Sequence, residues 1–216
     1  VTGVQTCALP ILLRKRIADG RLDLSVATTF NLDEYIGLDR ADPASFHAVM
    51  RRLLFDAAGL GPQQAHVPDG NAPDPQAAAQ EDYEAMIQAA GGIDLQLLGI
   101  GQNGHVGFNE PGTAFSSRCR VSMLAAQTRR ANAPYFGGLE HVPKEALTMG
   151  IGTILEARAC ILLATGRAKA PAVSAAVEGR ITPACPASAL RLHQDCTVIL
   201  DRQAAGQLGR KPGWPS

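Results

Sequence analysis

The sequence predicts an α/β fold: a single Rossmann-like domain with a mostly parallel sheet and helices on both faces. Three observations lead there. Two short apolar runs, residues 93–100 and 159–164, each break at a glycine turn, Gly99-Ile100-Gly101 in one case and Thr165-Gly166 in the other. That is how buried parallel strands hand the chain to the carboxyl edge of a sheet. A third run, residues 24–32, is apolar and β-branched and short enough for another buried strand. Stretches of helical periodicity separate the runs, as an α/β alternation requires.

The bulk composition narrows the function classes. A chain of 216 residues with 46% apolar and 19% charged residues has room for one substantial core. Its formal net charge is zero, so no basic footprint points to nucleic acid or an anionic membrane. No apolar run approaches the length of a membrane span. Cys7, Cys119, Cys160, Cys185 and Cys196 are odd in number and form no CxxC pair. They read as reduced thiols of a cytoplasmic protein rather than a disulfide frame, with Cys160 and Cys196 in the core.

Taken in order, residues 1–11 (VTGVQTCALPI) match nothing that follows, and their apolar portion is too short for a signal peptide. A helix is expected around residues 12–17. After the strand at 24–32 come Asp33 and Glu34; two acids at a strand end suit either a helix cap or a catalytic base. Residues 43–60 read as a helix begun by Asp42-Pro43, with Phe46, Met50, Leu53 and Leu54 as its stripe. Residues 61–75 read as a loop. Residues 77–90 form a second helix, on which Glu81, Asp82 and Glu84 belong to a solvated face. Residues 112–118 suit a mobile cover over a site. Arg118, Arg120, Arg129 and Arg130 fit either a solvated face or contacts to phosphate or a neighbouring subunit. Residues 143–155 read as a strand turning through glycine into a helix, and 165–177 as a turn opening a helix. Residues 196–201 are the last strand. Residues 203–216 are a fraying tail.

The chemistry gathers in Leu97 to Pro111, LLGIGQNGHVGFNEP, where a buried strand breaks into glycines and sets down Asn103, His105 and Glu110. Imidazole titrates near neutrality and suits proton transfer. No second His or Cys stands at ligand spacing, so a zinc site is not expected. The Gly-x-Gly lacks the third glycine and following helix of a dinucleotide fingerprint.

This stretch resembles the glucosamine-6-phosphate deaminase family, whose segment reads approximately Gly-x-Gly-x-(Asp/Asn)-Gly-His-x-x-Phe-Asn-Glu-Pro. A second family pattern, Asn-x-Asp-Glu-Tyr-x-Gly, matches Asn31 to Gly37, and the likeness extends over residues 12–202. It implies conversion of glucosamine 6-phosphate to fructose 6-phosphate and ammonia without cofactor or metal. His105 would open the sugar ring, with Glu110 orienting its second nitrogen. Asp33 would take the C2 proton. Asn103 would hold the loop, Lys169 would anchor phosphate at a helix amino terminus, and Gly99 would border the substrate. The implied partner is a small sugar phosphate, and the family includes monomers and homo-oligomers.

The sequence also departs from the family. Pro134 stands where members commonly carry a phosphate-binding arginine, a role that Arg129 or Arg130 would have to take over. Ser122 stands where allosteric relatives have lysine. The family's first strand and phosphate turn have no counterpart ahead of Leu12, so weak sugar-phosphate binding and slow turnover are expected. The alternatives are a 6-phosphogluconolactonase-like hydrolase and a catalytically impaired sugar-phosphate-binding fragment. The hydrolase would need neither Asn-x-Asp-Glu-Tyr-x-Gly nor the Asn-Glu-Pro ending.

Overall fold

The computed structural model describes residues 4–209. It opens with a helix, Val4–Ala18, that includes residues 12–17. Eight strands follow in chain order: β1 (Thr29–Phe30), β2 (Asp33–Tyr35), β3 (Ala65–His66), β4 (Leu95–Gly99), β5 (Arg120–Met123), β6 (Glu145–Thr148), β7 (Ala159–Ala164) and β8 (Cys196–Leu200). Helices cover residues 46–58 and 75–89, then Ala126–Phe136, Ile151–Leu155 and Ala170–Val177.

The strands pair in three groups. β4, β7 and β8 form a parallel sheet with β7 at its centre, and β1 pairs with β3 in parallel. β2, β6 and β5 form an antiparallel trio with β6 in the middle. The parallel pairs are the α/β pattern expected; of the antiparallel trio, only β6 was expected as a strand, within residues 143–155. The main core lies between these layers, where Leu98, Ile100, Leu147, Met149, Ile154, Leu162 and Val173 are all buried in one cluster. Each such side chain stabilises the fold by about 1.5–3 kcal/mol. A second cluster joins Tyr35, Phe108, Leu124 and Ala146. Its aromatic rings approach edge to face and tilted, as for Tyr35 against Phe136 and Phe108.

Several boundaries shift from those expected, each for a local reason. The strand predicted over 24–32 begins only at Thr29. Asp23 accepts the Ser25 N–H and Leu24 O accepts the Ala27 N–H, which closes a turn and leaves Val26 exposed. The helix predicted from 43 begins at Phe46. Asp42 accepts the Ala44 N–H in a preceding turn, and Ser45 caps the helix by accepting the Ala48 N–H.

Glu84 is a correction: it is buried rather than part of a solvated face. Its carboxylate accepts hydrogen bonds from Arg118 and the Cys119 N–H at 2.7 Å and from the Thr153 hydroxyl. Residues 203–209 do not fray. Ala204 is fully buried and Leu208 packs on the core. Trp214, placed in the tail, lies outside the described residues.

Candidate active site

Parallel strand β4 ends at Gly99, in register with Leu163 of β7. The loop beyond it folds on itself through Gly101 N–H to His105 O (2.8 Å) and Gly104 N–H to Gly101 O (3.0 Å). Gly104 has a φ of +85°, and a Cβ there would meet Cys185 Sγ at 2.7 Å, so this turn excludes side chains. The imidazole of His105 lies flat over Gly101: a Cβ on that glycine would stand 2.2–2.4 Å from three ring atoms.

A relay of hydrogen bonds fixes the tautomer of His105. Glu110 Oε2 accepts from Asn103 Nδ2 at 2.8 Å. An ionised carboxylate only accepts, so the amide must turn its Nδ2 toward Glu110 and its Oδ1 toward the ring. Asn103 Oδ1 lies 2.7 Å from His105 Nδ1; that nitrogen therefore carries the proton and Nε2 keeps its lone pair. Nε2 is buried and bonds to no protein group among the described residues. The sequence reading had Glu110 orienting the ring directly. The structure inserts Asn103, with Glu110 Oε2 at 3.5 Å from Nδ1.

The charges follow from this geometry. Burial pushes the His105 pKa down, while Glu110 partly offsets it, so the imidazole is neutral at physiological pH. Burial raises the Glu110 pKa, but the adjacent His105 ring and the bonds from Thr128 and Asn103 outweigh that and hold it at about 2. Glu110 Oε1 accepts from the Thr128 hydroxyl at 2.5 Å and from the Ala125 N–H at 3.2 Å.

Asp33 approaches from the antiparallel trio. Successive strand residues face opposite ways, which separates the two acids. Glu34 turns to the helix over 46–58 and accepts the N–H groups of Phe46 and His47, both at 2.9 Å. Asp33 turns to the histidine loop, where its Oδ2 would stand 3.6 Å from a Cβ on Gly107. The cap reading thus holds for Glu34, and Asp33 faces the histidine loop instead. Burial raises the Asp33 pKa and the nearby His105 lowers it.

Asp33, Thr148 and Arg120 form one row across β2, β6 and β5. Thr148 Oγ1 accepts the Phe108 N–H at 3.0 Å, and Arg120 donates to Asn109 Oδ1 at 2.9 Å. The row therefore grips the loop that carries His105.

Lys169 lies at the carboxyl edge of the same parallel sheet. It ends the turn Arg167–Lys169 between β7 and the helix Ala170–Val177. Burial lowers its pKa, and its charge in turn lowers that of His105. The structure thus brings Asp33, Asn103, His105 and Glu110 together, with Gly99 one strand residue behind the loop and Lys169 at the end of the neighbouring strand's turn.

The arginines divide rather than gather. Arg118 pairs with Glu84 and Glu156, and Arg129 donates to the carbonyls of Leu139 and Val142. Arg130 and Pro134 are exposed on the helix Ala126–Phe136. Residues 112–118, expected as a mobile cover, are anchored: Gly112 N–H donates to Pro183 O, and Ser117 O accepts the Gly152 N–H. The sequence reading named Gly101 only as a turn glycine and missed Thr128, Asn132 and Thr148 as residues of the site. The Thr128-x-x-x-Asn132 spacing, two polar residues on one helix face, was the available signal.

Comparison with known proteins bears on this site. A family model described as glucosamine-6-phosphate isomerases/6-phosphogluconolactonase matches residues 8–199. The glucosamine-6-phosphate deaminase of Shewanella loihica is 49% identical over 215 residues, which cover 98% of this chain and 80% of that one. That of Rhodopirellula baltica is 50% identical over 200 residues, 93% of this chain and 79% of its own. Among solved structures, a monomeric glucosamine-6-phosphate deaminase superposes with a TM-score of 0.92 at 46% identity, over 95% of this chain and 85% of that one. A 6-phosphogluconolactonase from Trypanosoma brucei superposes at 0.74 with 20% identity, covering 97% of this chain and 84% of its own. That second likeness is one of fold.

Proposed function

The chain belongs to the glucosamine-6-phosphate isomerases/6-phosphogluconolactonase family, and from that premise we propose that it deaminates glucosamine 6-phosphate to fructose 6-phosphate and ammonia. The observation that carries this reading is the neutral His105, its Nδ1 tied up by Asn103 and its Nε2 bare, beside the carboxylate of Asp33.

The chemistry divides between these groups. His105 Nε2 takes the O1 proton and delivers it to O5, which opens the ring. The Asp33 carboxylate then removes the C2 proton of the aldehyde form, giving an enolamine. Protonation at C1 yields an imine at C2, which water hydrolyses to the ketose and ammonia. Glu110, charged throughout, stabilises the imidazolium while it exists. Lys169, at the start of a helix, supports an anchor for the phosphate. Pro134 on the helix Ala126–Phe136 carries no charge, which supports weak phosphate binding.

The test is to incubate the purified chain with glucosamine 6-phosphate and to measure ammonia and fructose 6-phosphate. Equimolar release is expected. Hydrolysis of 6-phosphogluconolactone without ammonia release would replace this reading with the hydrolase, and a ligand-induced melting shift without turnover would replace it with a binding fragment. The free thiols of Cys119, Cys160, Cys185 and Cys196 support a cytoplasmic location. The monomeric relative supports a monomer over a homo-oligomer, which light scattering measures.

A further inference from the structure

The helix Ala126–Phe136 is unusual in what it buries. Among its residues, the buried side chains are Thr128 and Asn132, both polar. A helix normally docks by an apolar stripe, and burying a hydroxyl or an amide costs free energy unless each finds a partner. Here both partners belong to elements of the site. The Thr128 hydroxyl donates to Glu110 Oε1 at 2.5 Å. The Asn132 amide donates to the Tyr35 hydroxyl at 3.0 Å, and Tyr35 lies two residues from Asp33 on β2. Residues at i and i+4 share one face of a helix. One face therefore touches both the loop bearing His105 and the strand bearing Asp33.

We propose that Thr128 and Asn132 are positioning residues, which set the histidine–carboxylate relay and the β2 carboxylate in register from a single helix. Thr128 acts through Glu110. Its hydroxyl occupies Oε1 and leaves Oε2 for Asn103, so the amide keeps the orientation that protonates His105 Nδ1. The Ala125 N–H at the head of the same helix shares Oε1. Asn132 acts through Tyr35, whose ring packs on Phe108 of the histidine loop. The proposal rests on the deaminase reading for its kinetic readout, but not for its spectroscopic one.

The test compares Thr128→Val, which removes the hydroxyl and keeps the shape, with Thr128→Ser, which keeps the hydroxyl. Asn132→Leu and Tyr35→Phe probe the second contact. For Thr128→Val, kcat is expected to fall about tenfold, the loss of one hydrogen bond to a charged group, with KM changed less than about twofold. The acid limb of the kcat profile should move to higher pH, because Glu110 without that donor presents more of its charge to His105 and keeps the imidazole protonated to higher pH. Thr128→Ser should restore both. Asn132→Leu and Tyr35→Phe should lower kcat alike, and the double variant no further than either alone.

Nitrogen NMR of the His105 ring, recorded without substrate, should show a raised imidazole pKa in Thr128→Val. If the wild-type chain releases no ammonia, the deaminase reading falls, and the ring titration still decides this proposal. A lowered melting temperature with kcat, pH profile and ring titration unmoved would overturn it, as would a Thr128→Ser variant as impaired as Thr128→Val. Should Thr128→Val fail to fold, Tyr35→Phe carries the same decision for the Asn132 arm and Thr128→Ala for the other.

Discussion

Gly101 is a place where a missing side chain serves the chemistry. Its φ is not among the positive ones, so conformation alone would admit alanine. Space does not, because a Cβ would enter the His105 ring, and that ring is buried with nowhere to swing. Gly101→Ala is expected to lower kcat by about 100-fold or more, the scale of losing an acid/base group, with the fold retained by circular dichroism. Asp33 makes a different prediction. Burial raises its pKa, so the folded state holds its proton more tightly than the unfolded chain. Such a group lowers stability as pH rises from the unfolded value through the folded one. Asp33→Asn should therefore raise the melting temperature at pH 7, lose that advantage below pH about 4 where both states are protonated, and abolish turnover. Glu110 has the opposite sign. Its pKa is held at about 2, so its contribution is full above the ordinary carboxylate range and is lost as pH falls toward that value. Of these residues, Asp33, Asn103, His105 and Glu110 were legible in the sequence because motif spacing fixes them. Gly101 stood in the same pattern but its place under the ring was not legible, nor was Thr128, because nothing in the chain order says that a ring will lie on one or a carboxylate reach the other.

Among the elements, Glu84 shows how charge on a helix misleads. Three acids within four positions, Glu81, Asp82 and Glu84, read as a solvated face, yet only Glu84 turns inward. There it gathers Arg118, the Cys119 N–H and the Thr153 hydroxyl, tying the 75–89 helix to the start of β5 and to the helix Ile151–Leu155. Glu84→Ala would leave the Cys119 N–H and the Thr153 hydroxyl buried without that acceptor, while Arg118 keeps Glu156, at a cost of about 3 kcal/mol. Urea unfolding should show a lowered midpoint at unchanged slope, while kcat of the folded enzyme stays close to wild type. The parallel strands β4 and β7 were visible as apolar runs ending in glycine. Of the antiparallel trio only β6 was, within residues 143–155; β2 and β5 are three and four residues long, and β2 reads Asp-Glu-Tyr. Such a segment carries no period of its own; it becomes a strand because Thr148, Leu147 and Ala146 of β6 pair with it.

The whole molecule divides the labour of the site between layers of unequal strength. His105 and Lys169 hang from the parallel sheet, His105 on the loop after β4 and Lys169 on the turn after β7. β7 is hydrogen-bonded on both sides along its length, and Cys160, Leu162 and Ala164 are buried on its inner face. Asp33 hangs from a three-residue strand paired on one side only. Local opening costs least where few backbone bonds and little apolar burial hold an element. Native-state hydrogen exchange should therefore rank the amides of residues 160–164 slowest, at the rate of global unfolding, and those of β1 and β2 faster. The functional consequence follows from that ranking. In rising urea the Asp33 strand should lose its register before the parallel sheet opens. Turnover should then decline at concentrations where β7 amides are still protected. Coincident loss of turnover and β7 protection would instead mean that the layers open as one cooperative unit, with the antiparallel trio held by the core as firmly as the sheet beside it.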